Sequence, residues 1–295
     1  MLTRVPVQLQ QFITLILLLL AGKYLAHIYV PWIQIVTLLG VAIMIEHTFY
    51  YIKEKKIVFF SFSALSTAIG ILLMLATPHF YIYVIVVFLG LLQKHFLQYE
   101  GRHFFNPSNF SLITGLILFY HSAHIVMGQM GEDILLRWMV ALLGLLILYR
   151  VDRWLIPVSF ILFYLFFQYW LIVSYDPVML FETVYERFYS VSFIIFVLFM
   201  LTDPRTTPSK RWHQVFFAAL IVMIATGLDR WYGFRVQHLF MALFLLSPLV
   251  PLVSLWHERK TRKALVLWSG LLVFLALGAI IYLEMQPPYY FEMEG

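Results

Sequence analysis

The stretch STAIGILLMLATP at residues 66–78 recurs without gaps as SFIIFVLFMLTDP at residues 192–204. Six of the thirteen aligned positions are identical, at an offset of 126 residues. The same offset superimposes Pro31 on Pro157 and Gly101 on Gly227. Matches between apolar residues arise easily by chance in this chain, whereas paired prolines do not. The recurrence therefore predicts two similar halves around a central site, as in many transport folds.

Composition indicates which solvent surrounds the chain. Of its 295 residues, 62% are hydrophobic and 12% are charged, and apolar runs of membrane-spanning length recur throughout. This pattern predicts an all-α polytopic membrane protein. The chain has no Cys, which excludes disulfides, thiolate-held iron–sulfur clusters and a thiol nucleophile. The net charge of +5 resides mainly in short loops between apolar runs, so we expect no nucleic-acid partner.

Hydropathy predicts about ten to eleven transmembrane helices. The eleven predicted spans are 11–29, 31–52, 57–76, 79–97, 107–126, 133–149, 154–174, 188–202, 212–228, 237–256 and 264–284. The basic loops are 53–56, 94–102, 150–153, 205–211 and 259–263. They alternate with acidic or neutral loops, except that the loop at 229–236, with Arg230, Arg235 and Asp229, is ambiguous. The positive-inside rule then predicts a protein of the plasma (inner) membrane with a cytoplasmic N-terminus and an external C-terminus.

This topology predicts how the two copies of the repeat are related. Pro31 and Pro78 fall in external turns, whereas their partners Pro157 and Pro204 fall in internal turns. Equivalent positions on opposite sides of the membrane indicate inverted repeats. We therefore predict a single integral membrane domain over 1–295, with one five-helix repeat at 1–127, a second at 128–258 and an extra C-terminal span at 259–295.

Two polar segments interrupt the apolar pattern on the internal side. In GRHFFNPSNF (101–110), Pro107 cannot continue a preceding helix, and Asn106 or Ser108 is suited to cap the next one. In LTDPRTTPSKRW (201–212), Asp203 can cap and Pro204 can begin a helix. Helix starts direct free N–H groups towards an anion, a phosphate or a flavin dipole, although ordinary capped surface turns have the same spacing.

We predict a ligand site between the halves, where these segments meet the start of the third span. Broken backbone is tolerated at membrane depth only where it is buried in protein or lines a polar cavity. Lys94 and Arg205 would add positive charge for an anionic ligand. The predicted contact residues are Ser63, Ser66, Thr67, Lys94, Asn106, Ser108, Asn109, Thr202, Asp203 and Arg205.

Two further charges fall within predicted spans, where ionisable side chains are costly. We expect Lys23 to extend to the outer interface, since long basic side chains reach the headgroup region from a position of this depth. Glu46, near the inner end of the second span, is expected to make an internal polar contact or to serve in a proton relay.

The polar segments also carry a family resemblance. FNPSNF (105–110), preceded by Lys94 twelve residues before its Asn and followed by an internal TDPRTTP (202–208), resembles the RnfD/NqrB family of membrane electron-transport subunits. Further similar positions are Glu46, SFSALSTA (61–68), GED (131–133), RWLIP (153–157) and VPL (250–252). The FNPSNF motif is most similar to that of stand-alone UnbU-like members found with enediyne biosynthesis genes. The resemblance implies two inverted halves, membrane redox partner subunits and ion translocation.

The chain departs from that family in ways that bear on cofactors. Redox members of the family carry a Thr in the external loop after the fifth span, and that Thr holds FMN through a phosphoester. Here the loop reads FYHSAHIVMGQMGED (119–133) without Thr, so we expect no covalent flavin, while non-covalent FMN or riboflavin fits the framework. The histidines lie at span edges, without the facing pairs or carboxylate–histidine spacing of haem and zinc sites, and neither is expected.

Two function classes remain open, and no self-contained catalytic constellation decides whether the chain is an enzyme. The first is a membrane protein of electron transport that binds a flavin or quinone-like ligand between its halves, with possible coupling to cation translocation. The second is a transporter or permease for a flavin-like molecule or natural product, with no redox role. The resemblance favours the first class, and the missing Thr and Cys favour the second.

Overall fold

The computed structural model describes residues 7–25, 28, 30–55, 57, 60–125, 134–151, 153–175, 187–188, 190–254 and 262–286. Within these ranges every predicted span contains a helix. The helices are α1 (Val7–Leu25), α2 (Trp32–Glu54), α3 (Phe62–Met74), α4 (Phe80–Phe96), α5 (Pro107–Leu118), α6 (Ile134–Val151), α7 (Leu155–Tyr175), α8 (Val191–Ile195), α9 (Arg211–Tyr232), α10 (Gln237–Leu246) and α11 (Arg262–Met285). The all-α polytopic membrane class is thereby confirmed.

The helices fall into long and short classes. Among the described residues, five stretches are long and apolar enough to cross a membrane alone: Gln8–Leu25, Trp32–Glu54, Leu155–Ser174, Arg211–Tyr232 and Leu265–Met285. By contrast, α5 has 12 residues and is about 18 Å long, against a hydrocarbon core of about 30 Å. The helix α8 is also short and continues as a π-helical turn, Phe196–Met200. The helix α10 continues through a 3-10 turn, Ser247–Leu249, into Val250–Ser254.

Short paired strands continue the chain where the short helices stop. After α3, β1 (Leu75–Ala76) pairs antiparallel with β4 (His124–Ile125), which follows α5. Between α4 and α5, β2 (Gln98–Tyr99) pairs with β3 (Arg102–His103). These ladders satisfy backbone N–H and C=O groups that lipid cannot satisfy.

The order of helix packing repeats between the two halves. In the first half α1 packs on α3, α2 on α4 and α4 on α5, and in the second α6 packs on α8, α7 on α9 and α9 on α10. The halves meet through equivalent members, α1 with α6 and α5 with α10. Contact between equivalent elements is the signature of units related by a twofold axis. The repeats at 1–127 and 128–258, and their inversion across the membrane, stay predictions.

One part of the sequence alignment does not hold in three dimensions. Gly101 occupies a β-hairpin turn with φ of 73°, next to Glu100 with φ of 49°. Two consecutive left-handed residues close a two-residue hairpin, and glycine adopts this conformation without steric cost. Gly227 instead lies inside α9. The predicted equivalence of these two glycines is therefore wrong.

The helix boundaries differ from prediction at two of the polar breaks. The third helix begins at Phe62 rather than residue 57, because Ser61 caps it and accepts a hydrogen bond from Ala64 N at 3.3 Å. Pro204 was expected to begin a helix, but residues 201–210 form turns and bends, and α9 begins only at Arg211. Each of the two threonines that follow the proline bonds its hydroxyl to the turn, which competes with helix formation.

The extra C-terminal helix is attached to the second half. It packs on α10, on the 3-10 turn that follows it, and on α5. Ala276, Ile280 and Leu283 are buried at helical spacing, whereas Trp268 and Phe274 remain exposed. One face of α11 therefore seals the bundle and the other is available to lipid.

A glycine permits close packing between α4 and α5. A Cβ added at Gly90 would lie 2.8 Å from the backbone oxygen of Pro107, whereas one added at Gly40 would meet nothing within 4 Å. We expect Gly90→Ala to destabilise the protein by about 1–3 kcal/mol through overpacking. Gly40→Ala, the matched control, is expected to be neutral or to stabilise by up to about 1 kcal/mol through helix propensity. Thermal unfolding in detergent checks both, and equal melting temperatures for the two variants would contradict the packing argument.

The predicted inversion is testable because the chain has no native Cys. His79 and Ser209 are exposed; His79 directly follows Pro78, and Ser209 lies five residues after Pro204 in the same turn. Single cysteines in place of His79 and Ser209 are expected to react with a membrane-impermeant thiol reagent from opposite sides of the membrane. Labelling of both from one side would show that the halves are not inverted.

Candidate functional site

A cavity of about 320 Å³ lies where the two halves meet. Its walls come from α1, α3 and α5 of the first half, and from the end of α6, the π-helical turn and the following turn of the second half. The polar and charged lining residues are Gln8, Gln11, Ser63, Ser66, Thr67, His103, Asn106, Ser108, Thr202, Asp203 and Arg205.

The structure brings most of the predicted contact residues together at this cavity. Eight of the ten line it, and the exceptions are Lys94 and Asn109. Their role in binding a ligand stays a prediction, while their convergence around one space is a structural fact. The sequence reasoning missed His103 and two glutamines of α1, Gln8 and Gln11. Two glutamines three residues apart at the start of an apolar helix are the signal that was available for α1.

The two polar segments meet through Asn106 and Asp203. The Asn106 Oδ1 atom accepts a hydrogen bond from Asn109 N at 3.2 Å and thereby caps α5, with Pro107 in the first turn. The Asn106 Nδ2 atom donates to Asp203 Oδ2 at 3.4 Å across 97 residues of sequence. The predicted cap is confirmed, and its residue is Asn106 rather than Ser108.

The 201–210 turn is organised around Asp203. Its Oδ1 atom accepts from Arg205 N at 3.0 Å, and its backbone oxygen accepts from the hydroxyl of Thr207 at 2.7 Å. The hydroxyl of Thr202 donates to Leu198 O at 2.7 Å. These threonine hydroxyls are therefore engaged in the fold, whereas the Arg205 side chain remains exposed at the cavity.

Three serines supply hydroxyls without protein partners. The side chains of Ser63, Ser66 and Ser108 make no hydrogen bond within the described part of the chain. Gly70 brings α3 close to α5 at this point, since a Cβ there would lie 3.0 Å from Ser108 Oγ. A ligand between these helices would find several donors within a small space.

The electrostatics of the cavity combine helix dipoles with few formal charges. The N-terminal ends of α3 and α5 both contribute to the wall, and helix N-termini carry partial positive charge. Arg205 and Asp203 have opposite charges. Burial lowers the pKa of His103, in the hairpin between α4 and α5, to about 4 against the opposing effect of Asp203, so this imidazole is neutral at neutral pH. The site therefore suits a neutral or anionic polar ring.

Lys94 does not face the cavity, which corrects its predicted role. Its ammonium is buried in an ion pair with Glu46 Oε1. His95 Nε2 lies 2.9 Å from Glu46 Oε2, and the Ser61 hydroxyl donates to Oε1 at 3.2 Å. The expectation of an internal polar contact for Glu46 is confirmed. Because this pair satisfies the lysine charge, Arg205 is the only predicted cation that the structure places at the cavity wall within the described residues.

Asn109 and Lys23 also have structural partners. Asn109 is fully buried and donates from Nδ2 to Phe240 O at 3.2 Å, which ties α5 to α10 across the interface of the halves. Lys23 Nζ donates to Ile28 O and Val30 O at 2.8 Å each, beyond the C-terminal end of α1, and its place at the outer interface stays a prediction. In the described residues no group of three His, Cys, Asp or Glu has a geometry that could hold a metal ion.

Comparison with known families matches residues 114–263 to the NQR2, RnfD, RnfE family. The matched range is about half of the chain and contains the 201–210 turn, α9 and α10. The first-half wall of the cavity, from α1 to Ser108, precedes it. No curated protein matches the chain.

The buried ion pair between α2 and α4 generates a stability prediction. Glu46→Leu would leave the Lys94 ammonium buried without its carboxylate, which costs about 3–5 kcal/mol. The double variant Glu46→Leu/Lys94→Met removes both charges, and we expect it to recover most of that loss. Melting temperatures of the purified variants check this. A double variant no more stable than Glu46→Leu would show that the two side chains are not energetically coupled.

Proposed function

Since the chain belongs to the NQR2, RnfD, RnfE family, we propose that it is a membrane protein of electron transport that binds a flavin or quinone-like ligand in the cavity between its halves. The observation that carries the ligand proposal is the convergence on one cavity of two helix N-termini and three serine hydroxyls that make no hydrogen bond within the described residues. Free N–H groups and hydroxyls can donate hydrogen bonds to the carbonyl oxygens of a flavin or quinone ring.

The cavity walls fit a planar ring of limited size. A volume of about 320 Å³ lies at the lower end of the range for small-molecule pockets, about 300–1,000 Å³. Phe62 and Phe199 line it and offer aromatic surface to a flat ring. Asp203 is the acceptor for a ring N–H, which a flavin has and a quinone lacks. On this ground non-covalent FMN or riboflavin is the favoured ligand, and Arg205 would face the phosphate of FMN.

The loop charges predict that the cavity end of the bundle faces the cytoplasmic side of the inner membrane, and this orients the ligand and its partners. Because the chain has no Cys to hold an iron–sulfur cluster, electrons would reach the ligand from membrane redox partner subunits. Family membership is the only support for proposing that electron transfer is coupled to cation translocation.

A transporter or permease for a small molecule is the second candidate. The observation that favours it is the absence of Thr from the loop at 119–133, which leaves no attachment point for a covalent flavin. Residues 126–133 of that loop lie outside the described residues. In this alternative the same cavity would bind its cargo without electron transfer.

The two candidates differ in the absorbance of the purified protein. We expect a flavin spectrum that is lost after denaturation and filtration, since non-covalent flavin leaves with the filtrate. A colourless preparation that fails to bind added riboflavin or FMN would refute the flavin proposal. A fluorescent band that survives denaturing electrophoresis would instead show covalent attachment.

Two conservative variants test the site itself. Asn106→Ser keeps a capping oxygen but removes the amide, and Asp203→Asn removes the charge at nearly constant shape. Loss of one charge-assisted hydrogen bond of about 1.5–3 kcal/mol predicts at least about tenfold weaker riboflavin binding for Asp203→Asn in a fluorescence-quenching titration. Thr37→Ala is the control, because its hydroxyl lies on an exposed face and bonds only its own helix. Unchanged affinity in both site variants at wild-type stability would place the ligand elsewhere.

A further inference from the structure

A second polar cluster lies at the opposite end of α9 from the cavity. The helix begins directly after the 201–210 turn and ends at Tyr232, about 33 Å away for 22 residues. The cluster joins Asp229 near this end with Arg187, His238 at the start of α10 and Glu284 near the end of α11. None of these residues contributes to the cavity or to the proposed ligand site.

Arg187 and Asp229 form the fixed part of the cluster. The guanidinium donates to both carboxylate oxygens, from Nη1 at 2.8 Å and from Nη2 at 2.9 Å, and both side chains are fully buried. Arg187 also donates to the Tyr164 hydroxyl at 3.2 Å and stacks 3.4 Å above the Phe234 ring. A bidentate pair held on several sides keeps the aspartate ionised and immobile.

His238 lies between two carboxylates. Its Nδ1 is 2.7 Å from Asp229 Oδ1, and its Nε2 is 3.2 Å from Glu284 Oε1. The imidazole is completely buried, so water does not compete for either nitrogen. The second Glu284 oxygen faces Arg235 Nη1 at 3.0 Å.

This geometry requires one proton more than a neutral imidazole and two ionised carboxylates carry. A neutral imidazole has one N–H and one lone pair, so one nitrogen would direct its lone pair at a carboxylate oxygen. The repulsion disappears if His238 carries both protons, or if Glu284 is protonated and donates to the imidazole. Either arrangement places the same extra proton between His238 and Glu284.

We infer that Asp229, His238 and Glu284 form a buried proton-binding site at the end of the bundle opposite the cavity. The other charged and titratable groups that face it are Arg187, Arg235, Tyr164 of α7 and Tyr120 after α5. This inference does not rest on the proposed function, since no part of it involves the ligand cavity.

The surroundings favour a proton over a metal ion and supply a route for it. Guanidinium groups already bind both Asp229 oxygens and one Glu284 oxygen, so a metal ion would have to displace them, whereas a proton between His238 and Glu284 would not. Arg235 has a side chain that is 29% exposed, whereas its partner Glu284 is buried. Glu284 therefore lies between buried His238 and the partly exposed Arg235, where it is placed to receive and release the proton.

The site is tested by the protonation state of the intact protein in lipid vesicles. Solid-state NMR of protein with ¹⁵N-labelled histidine is recorded at about pH 8.5, well above the ordinary histidine pKa of about 6.5. We expect one histidine with protons on both ring nitrogens, or else a carboxylic-acid band in the infrared spectrum that shifts in D₂O. Absence of both signals from the wild-type protein would overturn the inference.

Substitutions at His238 and Glu284 identify the residues that give rise to the spectroscopic signal. His238→Gln is expected to remove it, whereas His79→Gln, at an exposed position, leaves it unchanged. Glu284→Gln keeps a donor towards Nε2 without a charge, so we expect the imidazolium signal to be lost in that variant also. This second variant serves if His238→Gln does not accumulate. Persistence of the signal in either variant would place the proton at another residue. Because no readout involves ligand, failure here is separate from failure of the flavin proposal.

Discussion

The structure depends on one constraint, which is that backbone polar groups at membrane depth must find partners within the protein. The helices α3 and α5 are too short to cross a membrane alone. The backbone N–H and C=O groups at the ends of these helices therefore need hydrogen-bond partners elsewhere in the protein. At one end of these helices the two-stranded ladder of β1 and β4 satisfies the backbone. At the other end Ser61 and Asn106 cap the helices. The cavity lies beside these capped ends, so the folding solution also creates the candidate site.

The meeting of the two halves determines what the cavity contains. Because α5 packs on α10 and α1 on α6, the polar segment before α5 faces the turn that precedes α9. The hydrogen bond between Asn106 and Asp203 joins these segments directly. Each half thus contributes one wall, and neither half alone encloses the space. A ligand bound there would contact both halves, so its binding would depend on their relative position.

In the part of the chain that the structure describes, buried charges are concentrated in two clusters with different properties. The Glu46–Lys94 pair joins α2 to α4, and its charges balance. The Asp229 cluster joins α9 and α10 to Arg187 and to the appended helix α11, and it contains an imidazole between two carboxylates. Both clusters are costly to desolvate and are stable only when all partners are present. The second cluster makes α11 part of the core, although the repeat is complete without it.

The sequence by itself determined the membrane class, a helix in each predicted span, a cap at Asn106 or Ser108, and most of the polar residues that line the cavity. These features follow from local composition and from helix-capping chemistry. Only the tertiary structure decided that Lys94 pairs with Glu46, that Asn109 bonds Phe240, and that Arg187 pairs with Asp229. These partners lie 48, 131 and 42 residues apart in the chain. A buried polar side chain takes whichever partner the packing of distant helices presents, and no local pattern encodes that choice.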